Sequence, residues 1–295
     1  MLGGKPSISP THPDGTALDT TAQMTQRDEP RAAVASATTS FQVQDAGVTL
    51  PTADGPLEII RGISFDCHAG EIVGIVGRSG TGKTTLLRIL GGLLTPTTGT
   101  VELEGRVVDG PPETVVTVFQ DYVNALLPWR TIERNVGFPL ERKVSKAERR
   151  ERVRHALDVV GLGDRANDHP WRLSGGMQQR VQIARALVLS PRVLLMDEPF
   201  GALDAITKAA LQDEVLTMQA ETGATIIFIT HDLEEAIYLS DRVFLISGSP
   251  GELSHQISTE LPRPRDQITV RESPRFLEVR HLLGEALLNE ETPHR

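Results

Sequence analysis

The stretch Ile72-Val73-Gly74-Ile75-Val76-Gly77-Arg78-Ser79-Gly80-Thr81-Gly82-Lys83-Thr84-Thr85 decides how the remaining chain is read. Ile72–Val76 is an apolar run of buried-strand length. Gly77 and Gly82, separated by four residues and followed by Lys83 and Thr84, match the pattern of a loop that wraps phosphate groups. Glycines let that backbone come close to an anion, so that successive amides along Gly77–Thr85 point at phosphate oxygens. Leu86–Leu94 has helical spacing, is broken by Gly91-Gly92 and stops at Pro96. The loop therefore also opens a helix, whose N-terminus favours negative charge. In this pattern Lys83 bridges the β- and γ-phosphates of a nucleotide and Thr84 ligates Mg²⁺.

Outward from this stretch, short apolar runs recur at Ile63–Cys67, Thr100–Leu103, Val115–Phe119, Val193–Met196, Thr225–Thr230 and Arg242–Ile246, with helical patterns between the later ones. Strands alternating with helices predict an α/β fold with a mostly parallel sheet covered on both faces. Residues 121–172 interrupt that alternation and read as a helical subdomain. Within them Ser145-Lys146-Ala147-Glu148 is a capping box. Val153, Ala156, Leu157 and Val160 then share a helical face, closed by Gly161. Seven Lys/Arg against three Glu between Glu141 and His155 read as a solvated helix face. Residues 1–40, rich in Thr, Ser, Ala, Pro and Asp, bury too little to order themselves and read as a disordered tail without a secretory core. In the last 40 residues Pro262 and Pro264 precede a helix capped at Ser273-Pro274, with Phe276, Val279, Leu283 and Leu287 on one face.

Composition sets outer bounds. The 295 residues are 39% hydrophobic and 23% charged, enough for a substantial core. No run approaches the ~18 apolar residues of a membrane-spanning helix. One cysteine, Cys67, excludes a disulfide framework, and its place in a strand makes it a small core residue. A net charge of −9 argues against a nucleic-acid partner. These features point to a soluble protein of a reducing compartment.

Two further motifs carry chemistry. Val193-Leu194-Leu195-Met196-Asp197-Glu198-Pro199 is an apolar strand ending in two carboxylates. Beside a phosphate loop, Asp197 is placed to hold Mg²⁺ through water, and Glu198 to polarise the water that attacks the γ-phosphate. Leu173-Ser174-Gly175-Gly176-Met177-Gln178-Gln179-Arg180 offers Ser174 and the amides of Gly175 and Gly176 as a second anion site at a helix start. This segment resembles the signature motif of ABC-type ATPases. Other features of that family follow in order: Gln120 resembles the glutamine of its Q-loop, Gly201-Ala202-Leu203-Asp204 its D-loop, and His231 its switch histidine. The resemblance covers about residues 41–250, with a helical subdomain at about 121–172 and an extension at 251–295 holding one helix. It implies a phosphate-loop NTPase core with a mostly parallel sheet, an ABC-type helical subdomain and an antiparallel β subdomain. It implies ATP and Mg²⁺ as ligands, with Thr84, Gln120 and Asp197 toward the metal. Catalysis falls to Lys83, Glu198 and His231. Nucleotide contacts fall to Gly77–Thr85, Gln120, Ser174, Gly175, Gly176 and Asp204, the signature residues acting on a neighbour's ATP in a head-to-tail pair. One position departs from the family: Leu50 stands where an aromatic usually stacks on adenine.

A narrower resemblance, to the nitrate/sulfonate/taurine importers, rests on Gln120-Asp121-Tyr122-Val123-Asn124-Ala125-Leu126-Leu127-Pro128-Trp129, on Thr131-Ile132-Glu133-Arg134-Asn135-Val136 and on Leu261-Pro262-Arg263-Pro264-Arg265. It implies a peripheral subunit on the cytoplasmic face of the inner membrane. Its partners would be a second ATPase, identical or related, an integral membrane permease and, indirectly, an external solute-binding protein. Leu126, Leu127 and Trp129 would line the groove for the permease, or else be local core; an exposed apolar patch favours the groove. Two alternatives stay open: a soluble non-transport ABC ATPase acting on chromosomes or ribosomes, and a weakly catalytic ATP sensor supported by Leu50 alone. The solute itself is chosen by other subunits.

Overall fold

The computed structural model describes residues 39–121 and 125–289. The expected tail lies outside the described residues as far as residue 38, as do Tyr122, Val123 and Asn124 of the importer-like segment. Thr39 and Ser40 already belong to the first strand, β1 (Thr39–Thr52), which turns into β2 (Gly55–His68). The chain continues through β3 (Ile72–Val76), α1 (Lys83–Leu90), β4 (Thr98–Leu103), β5 (Arg106–Val107) and β6 (Val115–Val118). Next come α2 (Ile132–Val136), α3 (Lys146–Val159), α4 (Gly175–Leu187), β7 (Val193–Asp197) and α5 (Ala205–Thr222). It ends with β8 (Thr225–Ile229), α6 (Leu233–Leu239), β9 (Arg242–Ser247), β10 (Glu252–Ser258) and α7 (Pro274–Asn289). Among the described residues no helix is long and apolar enough to cross a membrane.

Two sheets result. One is antiparallel, in the order β2-β1-β4-β5; the other has six strands, β10-β9-β3-β8-β7-β6. In the larger sheet β3, β6, β7, β8 and β9 run parallel, and β10 closes one edge antiparallel to β9. The apolar runs are continuous because both faces are covered. Val73, Ile75, Val193, Leu195, Ile227 and Ile229 point toward α1 and the antiparallel sheet. Their strand neighbours Ile72, Val76, Leu194, Met196, Ile226 and Phe228 point toward α4, α5, α6, α7 and the helical subdomain. The period of two along each strand thus feeds two separate cores.

The helix read over Leu86–Leu94 ends earlier, at Leu90, because Gly91 closes it and Gly92 turns left-handed at φ 66°. Half of the capping box forms: the Ser145 hydroxyl accepts the Glu148 N–H at 3.2 Å, while the Glu148 carboxylate pairs with Arg152 at 2.7 Å. The sheet runs on past residue 250 through β10. Beyond it, Leu261–Arg265 straps the C-terminal segment to the core. Arg263 donates to both Asp241 carboxylate oxygens at 2.8 Å, and Arg265 donates to Tyr238 O at 2.6 Å. Asp241 in turn accepts the Ile72 N–H at 2.9 Å, at the foot of β3. Phe276, Val279 and Leu283 of α7 are buried, with Leu287 packed partly beside them.

Candidate nucleotide and active site

β3 lies inside the sheet between β8 and β9 and delivers its last residue, Val76, into the glycine-rich loop. Gly77 sits at φ 153°, and a Cβ there would lie 2.1 Å from the Ile246 carbonyl oxygen. Only glycine lets the loop start this close to β9. Gly82, left-handed at φ 84°, is the N-cap of α1. The Lys83 ammonium folds back over the loop, donating to Gly77 O at 2.8 Å and Arg78 O at 2.6 Å. Burial pulls its pKa below the ordinary lysine value, and the charges of Glu198 and Asp197 work against that shift. The Thr84 hydroxyl donates to Asp197 Oδ2 at 2.8 Å. Burial raises the Asp197 pKa above the usual carboxylate range, opposed first by the Thr84 hydrogen bond. A hydroxyl and a carboxylate oxygen side by side are hard donors of the kind Mg²⁺ takes. The helix N-terminus beside them suits the phosphates, so the residues fit both ligands.

Three neighbouring strands each supply one side chain at the same end of the sheet. Gln120 follows β6, Glu198 follows β7 and His231 follows β8. Gln120 Nε2 donates to Glu198 Oε2 at 3.1 Å, and His231 Nδ1 lies 3.3 Å from the same oxygen. Glu198 holds a left-handed backbone at φ 47°, with its N–H on Ile229 O at 3.0 Å. A non-glycine residue in that region is uncommon and marks a side chain aimed by its surroundings.

Ser174 is the N-cap of α4, its hydroxyl accepting the Met177 N–H at 3.3 Å. With Gly175, Gly176, Arg180, Asp204 and Thr207 it lines a cleft to which no residue of the glycine-rich loop contributes. Asp204 caps α5, its Oδ1 accepting the N–H groups of Ile206 at 3.2 Å and Thr207 at 3.0 Å. The Thr207 and Ile206 bonds hold its pKa below the usual range. Leu50 is half-buried on β1, paired with Leu57 of β2 and packed on the core beneath the antiparallel sheet. Arg78, Ser79 and Gly80 are exposed at the loop crest, whereas Thr81 is buried and Thr85 half-buried in α1.

The apolar trio ahead of α2 divides. Leu126 is buried in the core, Leu127 is half-buried and Trp129 is 72% exposed. Trp129 borders a cleft shared with Arg130, Arg134, Glu141, Arg149 and Arg150. The basic run on α3, read as a solvated face, therefore also lines a cleft. Arg130 stacks 4.8 Å above the Phe138 ring and pairs with Glu141.

Two buried polar residues, Gln179 and Asn135, and the half-buried Lys208 hold positions here that the sequence reading does not assign to them. Gln179 bonds Glu198 O at 3.0 Å and Ala202 N at 3.1 Å, joining α4 to the turn after β7. Asn135, fully buried, ties down the Leu127–Thr131 loop. Lys208 bridges α5 to α6. A polar residue on a helix gives no signal of burial until its tertiary neighbours are known.

An arrangement that grips phosphates with a lysine loop and keeps an acid, a glutamine and a histidine converging beside it is that of a phosphate-loop ATPase. The sequence profile of the ABC transporter family matches residues 60–201. The nitrate transport protein NasD of Klebsiella oxytoca is 41% identical over 245 residues, 81% of this chain and 93% of its own length. The aliphatic sulfonates import ATP-binding protein SsuB 1 of Xanthomonas axonopodis is 46% identical over 215 residues, 72% of this chain and 84% of its own. Among solved structures, a dimeric post-hydrolysis state of the ATP-binding cassette MJ0796 with ADP and Pi superposes with a TM-score of 0.67. It is 31% identical, covering 74% of this chain and 98% of that one. The chain belongs to the ABC transporter family, as an ATP-binding subunit.

Proposed function

We propose that this chain is the ATP-hydrolysing subunit that powers an importer for a small anion of the nitrate, sulfonate or taurine kind. The observation that carries the reading is the convergence of Gln120 and His231 on one Glu198 oxygen, beside the Lys83 loop and the Thr84–Asp197 pair. ATP is the substrate. Lys83 and the loop amides bind its phosphates, and Glu198 orients and polarises the attacking water, with His231 at the γ-phosphate. Mg²⁺, held by Thr84, Asp197 and Gln120, would neutralise charge on the phosphate oxygens.

Two such subunits, identical or related, pair head-to-tail with two-fold symmetry. Each then offers its Ser174 cleft to the other's nucleotide, and Asp204 lies at the same junction. ATP binds the closed pair better than the open one, and that difference in affinity drives the motion. The exposed Trp129 and its basic cleft suit a helix of an integral membrane permease, and with such a partner the subunit would sit at the cytoplasmic face of the inner membrane. An external solute-binding protein would meet it only through that permease. Likeness to the nitrate transport protein and the sulfonates import ATP-binding protein supports this reading over a non-transport ATPase.

Glu198→Gln is the test of the chemistry: it should keep Mg-ATP binding and lose ~10²–10⁴-fold in turnover. Near-normal hydrolysis would remove Glu198 from its role. Capture of a multi-span permease by the tagged chain from solubilised membranes, weakened by Trp129→Ala, tests the partner. A purely soluble set of captured proteins would overturn the importer reading.

A further inference from the structure

The Lys208 side chain touches none of the residues assigned to ATP, yet it joins the two segments that flank them. It lies in the first turn of α5, its N–H on Asp204 O at 2.8 Å. Its ammonium crosses to the start of α6, 2.7 Å from Asp232 Oδ2 and 2.7 Å from Glu235 Oε2. Glu235 is 2% exposed and also accepts Gln212 Nε2 at 3.3 Å. Burial works against the charge on Lys208, but its bonds to Asp232 and Glu235 outweigh burial and raise its pKa. Asp232 follows His231 directly. Its N–H bonds Thr230 Oγ1 at 3.0 Å, and its Oδ1 caps α6 through Glu234 N at 3.0 Å and Glu235 N at 3.2 Å.

These contacts close a ring. Glu198 meets His231 at 3.3 Å, and Glu198 O accepts the Gly201 N–H at 3.3 Å in the turn leading to Asp204. From Asp204 the path runs through Lys208 to Asp232 and back to His231. In a closed ring, displacing the Asp204 turn must move the histidine or break a link. We propose that Lys208 is a positioning residue: it transmits the position of the Asp204 turn, where a second copy of this chain would pack, to His231 and so to Glu198. This rests on the ATPase reading above. A sheltered ion pair adds little net stability over apolar packing, so fixing geometry is the use that fits it.

The test compares Mg-ATP turnover, ATP affinity and thermal melting of the full chain in three variants. Lys208→Met should lower kcat by roughly 10–100-fold, the cost of misplacing a reacting group by about 1 Å, with KM for ATP changed less than about twofold. Lys208→Arg, which keeps a cation in reach of both acids, should restore most of that loss. Lys208→Met combined with Glu235→Gln removes the unpaired buried carboxylate; its melting temperature should recover while kcat stays low. Normal turnover in Lys208→Met, or turnover that recovers together with melting in the double variant, overturns the proposal. Absence of turnover in the unsubstituted chain overturns the ATPase reading itself, and the proposal with it.

Discussion

Replacing Asn135 with alanine should cost far more than its distance from the glycine-rich loop in sequence suggests. The side chain is fully buried. Its Oδ1 accepts the Leu127 N–H at 2.8 Å, and its Nδ2 donates to Leu127 O at 3.0 Å, Arg130 O at 3.1 Å and Thr131 O at 3.1 Å. Two of these four groups keep another partner: Arg130 N–H still reaches Leu127 O at 3.1 Å, and Asn135 N–H still reaches Thr131 O at 2.9 Å. The Leu127 N–H and the Arg130 carbonyl are left. A stranded buried polar group costs about 1–3 kcal/mol, so the pair costs roughly 2–4 kcal/mol once partial access to water is allowed. For a chain of this size that lowers the melting temperature by about 3–7 °C. Calorimetry on the full chain reads it directly. Asn135→Asp is the control: a carboxylate would face three carbonyl oxygens and should destabilise at least as much. A loss under about 0.5 kcal/mol, the range of ordinary surface changes, would refute the reasoning. Because Trp129 rides on this loop, permease capture should fall with stability.

Other outcomes test the nucleotide site. Leu50→Tyr should tighten ATP binding by about 5–150-fold if it gains the ~1–3 kcal/mol of base stacking; unchanged affinity in a nucleotide titration would take residue 50 away from the base. A Cβ at Gly251 would lie 1.9 Å from the Thr81 carbonyl oxygen, so Gly251→Ala must displace the loop backbone. ATP affinity should fall at least about tenfold, equivalent to ~1.4 kcal/mol, and an unshifted Kd would show that the turn before β10 yields instead. Burial raises the Asp197 pKa, so on acidification this carboxylate takes up its proton at higher pH than an exposed aspartate. Mg-dependent ATP binding should therefore weaken on acidification at pH values above those at which an ordinary aspartate takes up its proton. Asp197→Asn, which has no carboxylate to protonate, should bind more weakly at all pH values without that dependence.

Much of this is legible in the sequence because its signals are local. β3, β7, β8 and β9 are apolar runs bounded by polar or glycine residues, and the glycine-rich loop, the paired acids and the serine N-cap of α4 are consecutive residues. β10 is not legible, since Glu252-Leu253-Ser254-His255-Gln256-Ile257-Ser258 is a mostly exposed edge strand with little apolar pattern. The full extent of β1 and β2 is blurred by register shifts between Val43 and Thr49, which break the alternation that a strand would otherwise announce. Leu126 and Trp129, three residues apart and both apolar, part company only when α2 and α4 bury one of them. The roles of Gln179, Lys208 and Asn135 depend on partners that the sequence does not bring near.

The placement of β3 has a consequence for how the protein is made. It carries the glycine-rich loop and comes early in the chain, yet both of its sheet neighbours, β8 and β9, come from residues 225–247. Its foot is pinned by Asp241, which the strap at Arg263 and Arg265 secures. During synthesis the loop therefore leaves the ribosome well before anything exists to hold its strand. Pairings this distant in sequence form late and slowly. A chain that stops before β8 and β9 has the motif without the strands that flank it, and one that stops before Arg263 lacks the contacts that hold Asp241 at the foot of β3.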